Sequence, residues 1–264
     1  MTNVTPEQVK EYFADALENE EFQVYYQPKV ELNRYRLHGG EALCRWIHEG
    51  EFILPFQFIP VLEESGGICE LDFYMIDHVC KDIVKWIEDG LEPVIVSVNL
   101  SRVHMGDERL IEKIEEIVKK NNTPKQYLEI ELTETTTDLD YKELKRIVGG
   151  LHEAGFRTSI DDFGVGYSSM NLLRDLPWDM IKIDRSFIPA GDGSPEDEDK
   201  IILLQSLIML AHSLEIDCIA EGTETVDQII ILKQNRCFLA QGYFFDKPMP
   251  KPDFEKRLRA HKTV

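Results

Sequence analysis

The chain is short of basic residues, with 29 lysines and arginines against 49 aspartates and glutamates and a net charge of −20. That deficit excludes a nonspecific partner of duplex DNA or of an anionic membrane surface, since both require a basic face. Long apolar runs are also missing. No stretch reaches the roughly 18 residues needed to cross a bilayer, and the start MTNVTPEQVK lacks the basic-then-apolar order of a signal peptide. A cytoplasmic chain is expected. The five cysteines (Cys44, Cys69, Cys80, Cys218 and Cys237) are odd in number and form no CxxC pair, which excludes a disulfide framework or a thiolate zinc site and predicts buried free thiols. The seven histidines form no HExxH or HxxxH arrangement. No Pro/Gly/Ser-rich linker divides the 264 residues, and no internal repeat stands out beyond alternating strands and helices.

What is present is ample apolar content, 43% of the chain, enough for a substantial core. Residues 6–19 place Val9, Tyr12, Phe13, Ala16 and Leu17 on one helical face behind a Thr5-Pro6 start signal. FQVYYQPKVEL and RLHGGEALCRW then read as two strands around a turn at 33–35, the first made irregular or placed at an edge by Pro28. ILPFQFIPVLEESG and ICELDFYMIDHVCKDIVKWIEDG have helical spacing. From PVIVSVNL onward, strands (YLEIELTE, FRTSIDD, DMIKID, DCIAE, FLAQGY) alternate with helices, with GDGSPEDED read as an acidic loop. Parallel strands need crossovers of a dozen or so residues, and helices supply them. The unit count and the length fit a (β/α)8 barrel, typically about 250 residues. An open, doubly wound sheet is the alternative.

The ends of these strands share a chemistry. Asn99 closes PVIVSVN, Glu131 lies near the end of YLEIE, and Asp161 and Asp162 close FRTSIDD. Lys182 sits in DMIKID, Glu221 ends DCIAE, Gln241 follows FLA, and Glu41 lies in GGEALCRW. A single terminal Asp or Glu reads most simply as a helix cap. In a parallel barrel, however, all carboxyl-terminal strand ends meet on one face, and capping does not account for the whole set. Glu41, Asn99, Glu131, Asp161 and Asp162 are all oxygen donors. Clustered carboxylates predict hard divalent cations, Mg2+ or Mn2+. Two such ions roughly 3.5 to 4 Å apart suit phosphodiester cleavage. Lys182 and Glu221 would then hold or deprotonate a water, Arg45 would grip a phosphate oxygen, and Arg185 would help reverse the acidic field. Successive strand residues face opposite ways, so Asp161 and Asp162 share one site only if the strand ends between them; Gly164 and Gly166 are expected to supply that departure.

The motifs YYQPKV, EALCRW, SVNLSR, LEIELTE, SIDDFGVGYSS, MIKIDRSF, IAEGTET and AQGYFF, in this order, resemble those of the EAL domain family of cyclic di-GMP phosphodiesterases, from about Glu21 to the terminal helix. The resemblance implies a TIM-like (β/α)8 barrel with an antiparallel first strand, residues 21–264 forming the domain and 1–20 a helix packed upon it. It implies metal-dependent hydrolysis of cyclic di-GMP to linear pGpG, with Glu41, Asn99, Glu131, Asp161 and Asp162 matching the ligands of two metals and Asp161 bridging. Lys182, Glu221 and Gln241 match positions that organise water. Gln27, Leu43 and Arg45 match substrate contacts, and Glu134 matches the glutamate that steadies the DDFG loop. Homodimers, and fusion to sensory or GGDEF domains, are family habits. The departures, Thr223 for the usual Val, His104 for a common Gln, Asn235-Arg236-Cys237 for a usual Gly-Cys and the long GDGSPEDED loop, spare the ligands. A catalytically inactive sensor or docking module is the alternative; such domains typically lose a ligand.

Overall fold

A computed structural model describes residues 4–133, 138–164, 170–191 and 193–261, with backbone alone at 138–140 and 261. Helix α1 (Pro6–Glu18) opens with a capping box between Thr5 and Gln8, has Pro6 in its first turn, and buries Val9, Phe13 and Ala16. Strands β1 (Phe22–Glu31) and β2 (Arg36–His48) form an antiparallel pair. A short β3 (Glu51–Ile53), helix α2 (Pro55–Ser65) and helix α3 (Ile68–Glu88) follow. Strand-helix units then run β4 (Ile95–Leu100), α4 (Leu110–Asn121), β5 (Leu128–Thr133), α5 (Asp138–Glu153), β6 (Arg157–Phe163), α6 (Met170–Asp175), β7 (Met180–Ile183), α7 (Pro195–Ser213), β8 (Asp217–Ala220), α8 (Val226–Gln234) and β9 (Leu239–Ala240). A small β10 (Met249–Pro250) and α9 (Lys251–His261) end the described chain.

Pairing runs β1-β2-β4-β5-β6-β7-β8-β9 and returns to β1, so the barrel is closed and the open-sheet alternative is set aside. Every pair from β2–β4 to β8–β9 is parallel, and β1 is antiparallel to both β2 and β9. Pro28 fits this seam for a physical reason. On its outer side β1 bonds to β10 at Tyr25 and Tyr26 and to β9 at Val30 and Glu31, leaving residues 27–29 between the two short ladders, where a missing N–H is harmless.

The apolar core lies between barrel and helices, where Val96, Val98, Ile130, Leu132 and Ile160 meet the helical faces. The alternating strand positions turn inward and are polar. Lys29, Ser97, Glu129, Glu131, Ser159 and Lys182 are all at most 3% exposed. Two adjacent glycines of β2 serve opposite faces: a Cβ on Gly40 would come within 2.7 Å of the Phe254 ring of α9, and one on Gly39 within 2.9 Å of the Ile95 carbonyl and 3.6 Å of the Lys29 stem.

Four sequence expectations need correction. Ile53, assigned to a helix, pairs with Trp46 in the β2–β3 hairpin, whose two-residue loop Glu49-Gly50 has positive φ at both positions, the pattern of a type I′ turn. The acidic segment 191–199 is not all loop, because Ser194 caps α7 and Pro195, Glu196, Asp197 and Glu198 form its first turn, suited to the helix dipole. Of the five thiols, all free, Cys44 and Cys69 are half-buried rather than buried. The fourth correction concerns Asp162 and belongs to the site.

Candidate metal centre and active site

At the carboxyl-terminal mouth of the barrel a cavity of about 320 Å3 is lined by Gln27, Glu41, Leu43, Asp161, Lys182, Arg185, Glu221 and Gln241, among others. Lys182 is its hub. The ammonium lies 2.8 Å from Glu131 Oε2, 2.9 Å from Asp161 Oδ1, 2.9 Å from Glu221 Oε1 and 3.6 Å from Glu41 Oε2. Burial opposes its charge, but these four carboxylates raise its pKa well above the usual lysine value. Gln241 Nε2 donates to Glu41 Oε2 at 2.6 Å and to Gln27 Oε1 at 3.1 Å, and Asn99 Nδ2 donates to Glu41 Oε1 at 3.1 Å. Seven expected residues, Gln27 among them, thus join one network around Lys182.

Electrostatics there are lopsided. Burial pushes Glu41 up, and it pushes Glu221 up to about 8 despite the opposing pull of Lys182. Burial works the same way on Glu131, but Lys182 and Lys29 outweigh it and bring that carboxyl down to about 2. Glu41, Asp161 and Glu221 share Lys182 with Glu131, which alone of the four also has Lys29, and this buried excess of carboxylate suits further cations.

Asp161, Asp162 and Glu221 offer oxygens that all lie within 4.8 Å of one another. Glu221, expected to orient water, therefore stands with the two aspartates. The route by which Asp161 and Asp162 meet differs from expectation. The strand does not end between them; β6 continues to Phe163, and its register to β7 slips between Ile160 and Phe163. Asp162 sits in this bulge at φ 52°, the left-handed region, and a bulge re-aims side chains that a regular strand would send to opposite faces. Its N–H donates to Asp161 Oδ1 at 3.0 Å. Gly164 has φ 100° and supplies the departure. Gly166 and Glu134 lie outside the described residues.

The donor set fits hard divalent cations: carboxylates and one amide, with no thiol or imidazole. An orphaned atom agrees, because Gln241 Oε1 is buried with no hydrogen-bond partner among the described residues, while Nε2 of the same amide is doubly engaged. A second cavity of about 280 Å3, mainly apolar, adjoins the first and is lined by Leu43, Arg45, Ile59, Met75, Asn99 and neighbours. Leu43 borders both cavities. Arg45 lines only the second, with Nη1 donating to the Cys44 carbonyl at 2.8 Å and its guanidinium 5.8 Å from the centre of the Tyr25 ring.

Sequence reasoning missed Lys29. Its ammonium reaches Glu131 Oε1 at 2.8 Å, Glu129 Oε1 at 3.2 Å and Ser97 Oγ at 2.8 Å, beneath the mouth. The available signal was its spacing: Gln27 and Lys29 are two apart in one strand and so share the inward face.

The model of the EAL domain family matches residues 10–248. The signaling protein YkoW of Bacillus subtilis is 35% identical over 243 residues, 92% of this chain and 30% of that protein. The cyclic di-GMP phosphodiesterase NbdA of Pseudomonas aeruginosa is 34% identical over 256 residues, 97% of this chain and 32% of that protein. The chain thus spans about a third of the length of these curated relatives. The solved structure described as PaMucR phosphodiesterase in complex with c-di-GMP superposes with a TM-score of 0.86 at 31% identity, covering 94% of this chain and 99% of that one. A match over nearly the whole length, joined to a closed barrel with an antiparallel first strand and an acidic mouth, places this chain in the EAL domain family.

Proposed function

We propose that this chain is a cyclic di-GMP phosphodiesterase that opens one phosphodiester bond to give linear pGpG and requires two divalent cations, Mg2+ or Mn2+. The observation that carries the reading is the carboxylate cluster around Lys182, in a chain of this family, with a relative named for the same activity. Glu41, Asn99, Glu131, Asp161 and Asp162 would hold the cations, Asp161 serving both. Bound there, divalent cations supply charge stabilisation at a phosphoryl oxygen and make water more acidic.

The chain's own groups divide the remaining work. Glu221 orients the attacking water and takes its proton, Lys182 fixes that carboxylate at 2.9 Å, and Oε1 of Gln241, which has no partner among the described residues, accepts a hydrogen bond from water. Gln27 and Leu43 line the mouth, and Arg45 faces the adjoining cavity, where its guanidinium pairs with a phosphate. Two neighbouring cavities divided by Leu43 suit a ligand made of two nucleotide units. Glu134 steadies the DDFG loop in this reading. Residues 21–264 act as the catalytic unit and 1–20 as an accessory helix, in a cytoplasmic homodimer joined to sensory or GGDEF domains. A relative named as a bifunctional diguanylate cyclase and phosphodiesterase, MucR, supports such a union.

Glu41→Ala and Asp161→Asn should each abolish turnover of cyclic di-GMP while leaving the circular dichroism spectrum unchanged. Near-normal turnover in both variants would defeat the assignment. Tight binding of cyclic di-GMP by the unaltered chain with Mn2+ present, but no product, would instead favour a sensor.

A further inference from the structure

Beneath the mouth lies a second layer of charge. Lys29, in β1, is 3% exposed and spends its ammonium on Glu131, Glu129 and Ser97. Glu131 lies between two lysines, with Oε1 2.8 Å from Lys29 and Oε2 2.8 Å from Lys182. The ladder continues downward, since Arg157 Nε stands 3.5 Å from Glu129 Oε2 and Arg157 Nη1 3.8 Å from Asp179 Oδ1. Gly39 pairs with Lys29 across β1 and β2, and a Cβ there would meet the lysine stem only in ordinary contact, 3.6 Å from Cδ, its close approach being to the Ile95 carbonyl at 2.9 Å.

We propose that Lys29 is a positioning residue that acts through Glu131: it commits one carboxylate oxygen to the barrel interior and turns the other to the mouth, and so sets divalent-metal affinity there. This rests on the metal-dependent reading above. A carboxylate held at one oxygen by a buried ammonium has lost its freedom to rotate, and it presents its other oxygen toward Lys182 at the mouth. Outer partners of this kind typically change metal affinity about 10- to 100-fold when removed.

A merely structural Lys29 would do no more than neutralise Glu129 and Glu131, and the two roles separate in a charge-balanced variant. Lys29→Met alone leaves buried carboxylates short of a cation and should lower the unfolding temperature. Lys29→Met/Glu129→Gln removes one charge of each sign, while Glu131 keeps Lys182, so the fold should recover most of that loss. Glu129→Gln alone keeps the Lys29–Glu131 contact and is the control.

The experiment is calorimetric titration of Mn2+ into unaltered protein, Glu129→Gln and the double variant, with unfolding temperatures and steady-state hydrolysis measured on the same samples. The expected result is Mn2+ affinity near the unaltered value in Glu129→Gln and about 10- to 100-fold weaker in the double variant. In the double variant kcat should also fall more than KM rises. A double variant that binds Mn2+ as tightly as Glu129→Gln overturns the role of Lys29 and leaves the metal-dependent reading standing. Unaltered protein that binds no Mn2+ overturns both.

Discussion

Thr223 is fully buried two residues after Glu221, and its Oγ1 has no hydrogen-bond partner among the described residues. A hydroxyl desolvated without compensation is destabilising, whereas a methyl of the same shape is at home there. Thr223→Val is therefore expected to stabilise the protein by about 1 kcal/mol in urea unfolding, with hydrolysis unchanged. A destabilised variant would mean that the hydroxyl has a partner. The same scale shows what a single residue reveals in advance. Glu41, Asn99, Glu131, Asp161, Lys182, Glu221 and Gln241 were legible because each lies on or just past an apolar strand, where burial of a polar group needs a reason. Lys29 was not, because a lysine in a strand reads as solvent-facing until the partners Ser97, Glu129 and Glu131 are seen around it.

Among the elements, β6 carries the least predictable geometry. Parallel pairing and strand order followed from the alternating pattern, yet the bulge at Asp162 exists only in relation to β7, so no reading of β6 by itself contains it. The turn after it is tightly held: a Cβ on Gly164 would lie 2.6 Å from the Phe187 ring, at a φ of 100°. Gly164→Ala should cost about 2 kcal/mol or more, read from chemical unfolding. A neutral outcome would show that Phe187 moves freely. The β2–β3 hairpin was missed for a plainer reason. Its Glu49-Gly50 turn lacks the usual Asn or Asp, and the Pro55 start of α2 drew Ile53 toward the helix.

The junction of α3 and α4 offers a test by pH. Partial burial pushes Asp77 up, but Lys81, Asn121 and Lys120 outweigh it and bring the carboxyl down to about 2 from the usual 3.8. A carboxyl depressed on folding adds stability that is fully present above the unfolded value near 4 and is lost as pH falls through about 2. Both lysines are half-exposed or more, so screening trims the contribution to about 1 kcal/mol. Asp77→Asn should then be less stable than the unaltered chain by roughly that amount at pH 7, with the gap closing between pH 4 and 2. A gap that does not change with pH would remove the ion pairs from the explanation.

On the scale of the whole molecule, the barrel solves one problem by creating another. Its outer faces bury the apolar core against the helices, while its interior encloses lysines and carboxylates whose charges need one another. With a net charge of −20, the surroundings would repel the proposed dinucleotide substrate, and in the proposed function divalent cations would reverse the field at the mouth. The most direct measurement is chromatographic analysis of cyclic di-GMP incubated with purified protein and Mn2+, and again with EDTA in place of the metal. Linear pGpG in the first sample and intact substrate in the second is the predicted result. Equal product in both samples, or none in either with the protein folded, would contradict a metal-dependent phosphodiesterase.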